Sequence, residues 1–248
     1  MGTDTVEGVV AARRFYGEDM AGFSIPASEH STMTSWLRSG ESAAYANMLD
    51  KFPEGLVAIV SDSYDVFNAA TTIYGDELKA KIEGRNGTLV VRPDSGNPTT
   101  MAIEIIERLG AKFGFNTNSK GYRVLPDYLR VIQGDGMDID SIPRLLSNME
   151  QAGLSTSNIA MGMGGGLLQK VDRDTCKYAM KANAAKVYGE WRDVYKDPIT
   201  DQGKKSKKGQ LAVVMDADTG TLRTMRKDDV LKNLDPRCNL MQVVYENG

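Results

Sequence analysis

Four short runs of β-branched and aliphatic residues each end in acidic, glycine-rich or serine-rich residues. The runs are VAIVSDSYD at 57–65, LVVRPDSGNP at 89–98, LRVIQGDG at 129–136 and IAMGMGGG at 159–166. A buried strand followed by a polar loop is typical of a βα unit in a parallel sheet. Because the carboxyl ends of parallel strands meet at one edge of a sheet, we expect the polar residues of these loops to line one pocket.

Helical periodicity fills the intervals between these runs. We predict strands at 56–60, 88–92, 128–133 and 157–162. We predict helices at 5–16, 27–37, 41–52, 64–82 and 138–152, another after Asn97-Pro98, and one that begins at Leu167. Right-handed βα connections with outer helices give either a barrel or an open doubly wound sheet, and the pattern leaves both open.

The pattern changes near residue 185. The segments VYGEWRDVYKDP and GQLAVVMDADTGTLRTM read as strands around a basic turn and an Asp-Thr-Gly hairpin. We therefore predict a βα portion at 1–184 and a β-rich C-terminal appendage at 185–248.

Composition and charge exclude several classes of protein. The 248 residues have a net charge of −3, which does not fit a general nucleic-acid binder with a basic face. With 41% hydrophobic and 25% charged residues, the chain shows neither a membrane span nor a disordered tract. Cys176 and Cys238 lack CxxC spacing and no secretory signal opens the chain, so we expect a cytoplasmic protein.

Three of the loops carry residues suited to a sugar phosphate. In RPDSGNP, Arg92 can bind oxyanions and Asp94 hydroxyls or a metal, with a surface ion pair as the alternative. In GDG, Asp135 lies between glycines that let a ligand approach, although a simple turn has the same pattern. The run 164–166 of three glycines can hold a phosphate on its amides, and Arg173 either reaches that phosphate or faces solvent.

The single histidine, His30, lies in PASEHST at or near the start of a predicted helix. An imidazole suits proton or phosphoryl transfer, and a structural role is the alternative. The loop SDSYD supplies two carboxylates, Asp62 and Asp65, either of which can orient the ring. Asp4, in the opening GTDT, is either a helix cap or part of a ligand site.

Eight segments carry a family resemblance and occur in this order along the chain: GTDTV, PASEHST, SDSYD, RPDSGNP, NSKGY, LRVIQGDG, GMGGGLLQK, and KDP with KKSKKG. Together they resemble the nicotinamide phosphoribosyltransferases. These type II phosphoribosyltransferases join nicotinamide to phosphoribosyl pyrophosphate in NAD salvage. The resemblance runs from Gly2 to about Gly209. It implies an α/β fold, an irregular, partial TIM-like barrel with the small β-rich appendage.

The resemblance also implies roles for individual residues. Asp4 would accept a hydrogen bond from the nicotinamide amide and repel the carboxylate of nicotinic acid. Arg92 would stack beside the pyridine ring and help to bind phosphate, with Ser24 and Ser61 near the same pocket. The phosphoribosyl group would be held by Asp94, Gly134, Asp135, Gly164, Gly165 and Arg173.

His30 corresponds to the family's histidine that ATP phosphorylates, with Asp65 as the partner that orients it. The resemblance also places Lys181, Lys196 and Lys204 near the nucleotide and phosphates. Mg²⁺ would accompany the leaving pyrophosphate, with its ligands unassigned, and ATP would stimulate the reaction.

The resemblance covers only the C-terminal half of a usual family member. We therefore expect the N-terminal domain, with its aromatic residues around nicotinamide, to be absent, and a homodimer or a second chain to complete the site. Two alternatives stay open. The chain is a catalytically incomplete fragment that binds phosphoribosyl or nucleotide ligands, or it is a nicotinate-specific transferase.

Overall fold

The computed structural model describes residues 6–22, 24–163 and 179–243. The chain divides into two compact units, one formed by Met1–Met180 with Lys196–Lys205 and the other by Lys181–Tyr195 with Ser206–Gly248. Residues 196–205 thus group with the first unit, although they follow two strands of the second. The boundary at 184/185 stays a sequence prediction.

The described residues form ten strands and eight α-helices. The strands are β1 (Glu54–Val60), β2 (Asn86–Arg92), β3 (Asn116–Thr117), β4 (Arg123–Val124), β5 (Leu129–Gln133), β6 (Ile159–Met161), β7 (Ala184–Val187), β8 (Glu190–Asp193), β9 (Leu211–Met215) and β10 (Leu222–Arg226). The helices are α1 (Val6–Tyr16), α2 (His30–Thr34), α3 (Glu41–Lys51), α4 (Val66–Asn68), α5 (Lys79–Glu83), α6 (Met101–Phe113), α7 (Ser141–Gln151) and α8 (Lys227–Asn233). A π-helix, Ala69–Glu77, joins α4 to α5.

A four-stranded parallel sheet in the order β1-β2-β5-β6 organises the first unit. Val57 to Val60 of β1 are buried, as are Leu89 to Val91 of β2, which fits strands covered on both faces. The sheet does not close into a barrel within the described ranges. The α/β class is confirmed, with a partial barrel and small antiparallel sheets beside it.

Amphipathic helices cover this sheet. Helix α6 buries Ile105, Ile106 and Leu109, and these side chains join the main core. Gly110 of the same helix packs against the Phe115 ring so closely that an added Cβ would lie 1.9 Å from that ring. The helix predicted after Asn97-Pro98 is therefore confirmed as Met101–Phe113.

The segment before His30 corrects one sequence prediction. The helix expected at 27–37 begins only at His30, because Ala27 forms a parallel bridge with Ala58 of β1. The Val60 backbone N–H donates to the Ser28 hydroxyl at 2.9 Å. The Ser28 backbone N–H donates to the Ala58 carbonyl at 2.9 Å. The backbone on either side of Ala27 thus hydrogen-bonds to the edge of β1 and does not form the helix that the sequence pattern predicted there.

The second unit contains two hairpins, β7 with β8 and β9 with β10, of which the sequence predicted the latter from its Asp-Thr-Gly turn. In the turn of the latter, Asp216 accepts the backbone N–H groups of Asp218 and Thr219, and Gly220 adopts a positive φ of 66°. Val230 of α8, which we did not predict, packs on Ala212 and Val214. Among the described helices of both units, none has the length and apolarity needed to cross a membrane.

Candidate active site

Polar side chains gather where β1, β2 and β5 end. Asp62 follows β1, Asp94 follows β2 and Asp135 follows β5. The first two ends are joined by the Ser61 N–H, which donates to the Arg92 carbonyl at 2.9 Å. This edge is where loops of a parallel sheet carry chemistry, as the sequence predicted.

His30 reaches this edge because its segment is fixed to β1. The bridge at Ala27 and the Ser28 hydrogen bonds place α2 beside the end of that strand. Glu29 then caps α2, with its side chain accepting the His30 N–H at 2.8 Å. The short helix thus starts at the point where His30 faces the strand ends.

Carboxylates face both nitrogens of the His30 ring. Nε2 lies 2.8 Å from Asp62 Oδ1, while Nδ1 lies 3.1 Å from Glu29 Oε1 and 3.7 Å from Asp94 Oδ2. The side chains of His30 and Asp62 are only 7% and 1% exposed, whereas that of Glu29 is 64% exposed. The buried Asp62 contact therefore fixes the ring, and the carboxylates on the Nδ1 side are the more exposed ones.

The charge of Asp62 is stabilised within the site. Burial alone would raise the pKa of Asp62, but the hydrogen bond with His30 and the charges of Lys196 and His30 outweigh it and lower the pKa to about 2. The Lys196 ammonium lies 3.8 Å from Asp62 Oδ2 and 3.2 Å from His30 Nε2. An ionised Asp62 can accept a proton from Nε2, and the Glu29 carboxylate faces Nδ1 as a second acceptor.

Asp65 lies elsewhere. Its Oδ1 accepts the N–H groups of Phe67 and Asn68, each at 3.0 Å, and so caps α4. Of the two carboxylates in the SDSYD loop, the one on the imidazole in this structure is Asp62. The sequence expectation that Asp65 orients His30 is therefore corrected to Asp62.

Arg92 contacts the residues just before His30. Its guanidinium donates to the Ser28 carbonyl at 3.0 Å and lies 3.4 Å from Glu29 Oε2. Partial burial opposes the charge of Glu29, but hydrogen bonds and charge from His30 and the charge of Arg92 give a net lowering of the Glu29 pKa. Arg92 Nε is buried without a hydrogen-bond partner in the described part of the chain, which favours a ligand with acceptor atoms.

The segment 196–205 crosses the loops at this edge. Asp197 N–H donates to the Ser63 carbonyl at 2.9 Å, and Ile199 N–H donates to the Tyr64 carbonyl at 3.1 Å. At the far end of the segment, Lys204 donates to the Asp94 carbonyl at 2.9 Å and pairs with the Asp135 carboxylate. Lys196 and Lys204 thus place two positive charges among the carboxylates.

The GDG loop leaves room for a ligand. An added Cβ at Gly134 would meet no atom of the described residues within 4 Å. Gln133, fully buried at the end of β5, donates its amide to the Asp135 carbonyl at 2.8 Å and holds the loop. The Asp135 side chain is 37% exposed, which suits contact with ligand hydroxyls.

The side chains of the other predicted site residues take no part in the described contacts of this cluster, or they lie outside the described ranges. The Ser61 hydroxyl is buried, donates to the Ile59 carbonyl and lies 2.9 Å from the Tyr74 hydroxyl. Ser24 is exposed, and Lys181 is exposed in the second unit. Asp4, Gly164, Gly165 and Arg173 lie outside the described residues.

The carboxylates of the site do not form a preformed metal cage within the described residues. Among residues 6–22, 24–163 and 179–243, no group of three or more His, Cys, Asp or Glu side chains is arranged to hold one. Asp94 and Asp135 can each supply an oxygen to Mg²⁺, which commonly keeps several waters and binds through substrate phosphates. The residues therefore fit a metal that arrives with a phosphate ligand better than a cage formed by the protein.

Sequence reasoning did not single out Glu29 or Gln133. It left Asp62 and Asp65 both open, and only the family resemblance pointed to Asp65. Glu29 precedes the only histidine, and a capping box with Thr32 was readable from the spacing. Asp62 is the first carboxylate after a buried strand, which is itself a signal. As arranged, the site can bind an anion on its cations, accept hydroxyls on its exposed carboxylates and present a buried, oriented imidazole.

The whole described site falls within one family match. The family model described as the nicotinate phosphoribosyltransferase (NAPRTase) family matches residues 1–247. The chain is 47% identical over 250 residues to a nicotinamide phosphoribosyltransferase of Xanthomonas campestris pv. campestris, covering 100% of this chain and 53% of that protein.

Two further relatives bear the same name. That of Mycoplasma pneumoniae is 35% identical over 218 residues, covering 83% of this chain and 46% of that protein. That of Acinetobacter baylyi is 32% identical over 270 residues, covering 100% of this chain and 52% of that protein. The chain thus spans about half the length of the curated relatives it matches.

Proposed function

The chain belongs to the nicotinate phosphoribosyltransferase (NAPRTase) family, and from that premise we propose an enzymatic function for its site. The site transfers the phosphoribosyl group of phosphoribosyl pyrophosphate to nicotinamide and yields nicotinamide mononucleotide and pyrophosphate. The observation that carries the proposal is the buried His30–Asp62 pair beside Arg92, Asp94 and Asp135. The names of the relatives support nicotinamide over nicotinate as the acceptor.

In the proposed transfer, the bond from the ribose anomeric carbon to pyrophosphate breaks and a bond to the pyridine nitrogen forms. Positive charge develops on the ribose, and the carboxylates of Asp94 and Asp135 stabilise it and hold the hydroxyls. Arg92 lies beside the ring and phosphate, while Lys196 and Lys204 face the leaving pyrophosphate. Mg²⁺, where bound, neutralises charge on the pyrophosphate oxygens, and Asp94 and Asp135 are its nearest candidate ligands.

ATP stimulation is assigned to His30. In the tautomer that carries its proton on Nε2, where Asp62 accepts it, the Nδ1 lone pair attacks the γ-phosphorus of ATP. The Nδ1–P bond forms as the bond to the bridging oxygen breaks, and ADP leaves with the electron pair. Glu29 and Asp94 lie beside Nδ1 and must turn away to admit the phosphate.

Partners and location belong to the same proposal. A homodimer or a partner chain completes the pocket, as the family resemblance implies. Asp4, Gly164, Gly165 and Arg173 contribute to substrate binding as the family resemblance implies. The enzyme works in the cytoplasm, where ATP and phosphoribosyl pyrophosphate are available.

The test is nicotinamide mononucleotide formation by the purified chain with nicotinamide, phosphoribosyl pyrophosphate and Mg²⁺, with and without ATP. We expect product, and we expect His30→Ala to lose the ATP stimulation while keeping a basal rate. Asp65→Asn is the matched control, since Asp65 caps a helix nearby without contacting the ring. Failure of the protein to bind phosphoribosyl pyrophosphate would contradict the proposal.

A second function has one observation in its favour, the half-length match to the relatives. In this reading the chain binds phosphoribosyl ligands without turnover. Binding of phosphoribosyl pyrophosphate without product would support it. Product from the chain alone would exclude it.

A further inference from the structure

A buried carboxyl group that the proposed chemistry does not use lies on the helix side of the sheet. Glu41 is the first residue of α3 and is buried. One of its oxygens, Oε1, accepts the Tyr45 hydroxyl proton at 2.8 Å. An acid this deep in a core requires such a partner, because a carboxylate loses the stabilisation that water gives it.

The contact continues toward the active-site edge. The Tyr45 ring stacks on the Tyr74 ring, with centroids 5.0 Å apart and planes 24° from parallel. The Tyr74 hydroxyl lies 2.9 Å from the Ser61 hydroxyl. Since the one proton of Ser61 Oγ goes to the Ile59 carbonyl, Tyr74 must donate to Ser61.

Ser61 connects this chain of contacts to the site. Its backbone N–H holds the end of β2 at Arg92, its side chain is held by Tyr74, and the next residue is Asp62. The turn that points Asp62 at His30 is therefore fixed from the helix side by two tyrosines. Glu41 lies at the far end of the same chain of contacts.

The charged and titratable groups that act on Glu41 come from every neighbouring element. Arg38 precedes α3, Tyr45 lies one turn along it, Asp62 and Asp65 follow β1, and Tyr74 lies in the π-helix. Burial raises the pKa of Glu41 to about 7, against the Tyr45 hydrogen bond and the Arg38 charge and with the help of Asp65 and Asp62. The carboxyl is thus near half-protonated at neutral pH.

We propose that Glu41 is a positioning residue of this site, which acts through Tyr45, Tyr74 and Ser61 on Asp62 and takes up a proton when a phosphate-bearing ligand binds. The inference rests on the proposed function for the identity of that ligand. Added negative charge at the carboxyl edge opposes a charged Glu41, as Asp62 and Asp65 already do. The ligand and the proton on Glu41 therefore favour each other.

The experiment is calorimetric titration of the full chain with phosphoribosyl pyrophosphate and constant Mg²⁺, in buffers of different ionisation enthalpy. If the ligand raises the Glu41 midpoint by about one pH unit, Glu41 takes up roughly 0.3–0.4 proton at about pH 7. Glu41→Gln keeps the acceptor for Tyr45 but carries no proton to exchange. We expect its proton uptake to be lower than that of the wild type by this amount, and the difference to vanish near pH 5, where Glu41 is already protonated.

Glu104→Gln is the matched control, because Glu104 is an exposed acid in the first turn of another helix, α6. It should exchange protons like the wild type. Tyr74→Phe tests the positioning of Asp62, since it removes the hydroxyl that donates to Ser61. We expect it to weaken ligand binding about threefold while leaving proton uptake unchanged.

Equal proton uptake by the wild type and Glu41→Gln at neutral pH would overturn the proton coupling, and unchanged affinity in Tyr74→Phe would overturn the positioning. If Glu41→Gln does not fold, Tyr45→Phe replaces it. Loss of the Tyr45 hydrogen bond should raise the Glu41 pKa and lower the uptake at pH about 7. No ligand binding by any of the proteins would overturn the proposed function itself, and this inference with it.

Discussion

Replacing Glu41 by glutamine should stabilise the first unit at neutral and alkaline pH and leave it unchanged in acid. In the unfolded chain Glu41 loses its proton near its ordinary pKa of 4.5, whereas in the folded protein it keeps the proton up to a pKa of about 7. Stability from this group is therefore complete below about pH 4.5 and falls as the pH rises toward 7. Above pH 7 the loss is constant.

The magnitude follows from the separation of the two values. Each pH unit between them corresponds to about 1.4 kcal/mol, so the ionised carboxylate costs folding roughly 3 kcal/mol at about pH 8. Glutamine keeps an oxygen for the Tyr45 hydroxyl and has nothing to ionise. The stability difference between Glu41→Gln and wild type should then grow from near zero in acid to roughly 3 kcal/mol in alkali.

The positions of the two tryptophans allow the unfolding of the first unit to be measured separately from that of the second. Trp36 lies in the first unit and Trp191 in the second, so a Trp191→Phe background leaves Trp36 as the single fluorescent reporter. Urea unfolding across the pH range then measures the free energy of the first unit. Glu104→Gln, which alters an exposed acid, should follow the wild type at every pH.

A constant difference between Glu41→Gln and wild type from acid to alkali would refute the reasoning, because it would show that the carboxyl titrates alike in both states. A glutamine variant less stable at about pH 8 would refute it more strongly. That result would mean that the negative charge itself stabilises the fold.

Three further predictions concern the site and the core. Asp62→Asn should lower ATP-dependent incorporation of phosphate into the protein at least tenfold, measured with γ-labelled ATP, because the ring loses its buried acceptor. Asp65→Asn should leave this phosphate incorporation within about twofold of the wild type. An unchanged rate in Asp62→Asn together with a loss in Asp65→Asn would show that Asp65, and not Asp62, orients His30. Lys204→Met should weaken pyrophosphate binding about tenfold in calorimetry, and equal binding would remove Lys204 from the site. Gly110→Ala should destabilise the first unit by about 1–3 kcal/mol in urea, since its Cβ would meet the Phe115 ring, and an unchanged midpoint would show that the ring can move aside.

Much of the fold was readable from the sequence because parallel strands leave a strong pattern. Runs such as 57–60 and 89–91 are apolar without alternation, and each is followed by polar residues and a helix. The strand ends, and with them the edge that carries Asp94 and Asp135, follow directly from that pattern. The hairpin of β9 and β10 was equally visible through its Asp-Thr-Gly turn.

Two features could not be read from local pattern. The segment at 27–29 has helical spacing, but the free edge of β1 binds its backbone and delays the helix to His30. The return of residues 196–205 to the first unit depends on backbone contacts with Ser63 and Tyr64, which are far away in sequence. In both cases a long-range contact outweighs local preference, and such contacts leave no periodic signal.

The choice between Asp62 and Asp65 follows from strand alternation once the contacts of Ser61 and His30 are known. Side chains alternate across a strand, so residues 57, 59 and 61 share one face and the next residue, 62, points to the other. The structure buries the Ser61 hydroxyl on the helix side, against Tyr74. Asp62 must then face the opposite side, where His30 arrives on the bridge from Ala27. Asp65 lies beyond the end of the strand pattern, at the position that caps helix α4. Its carboxylate therefore binds the first backbone N–H groups of that helix and not the imidazole.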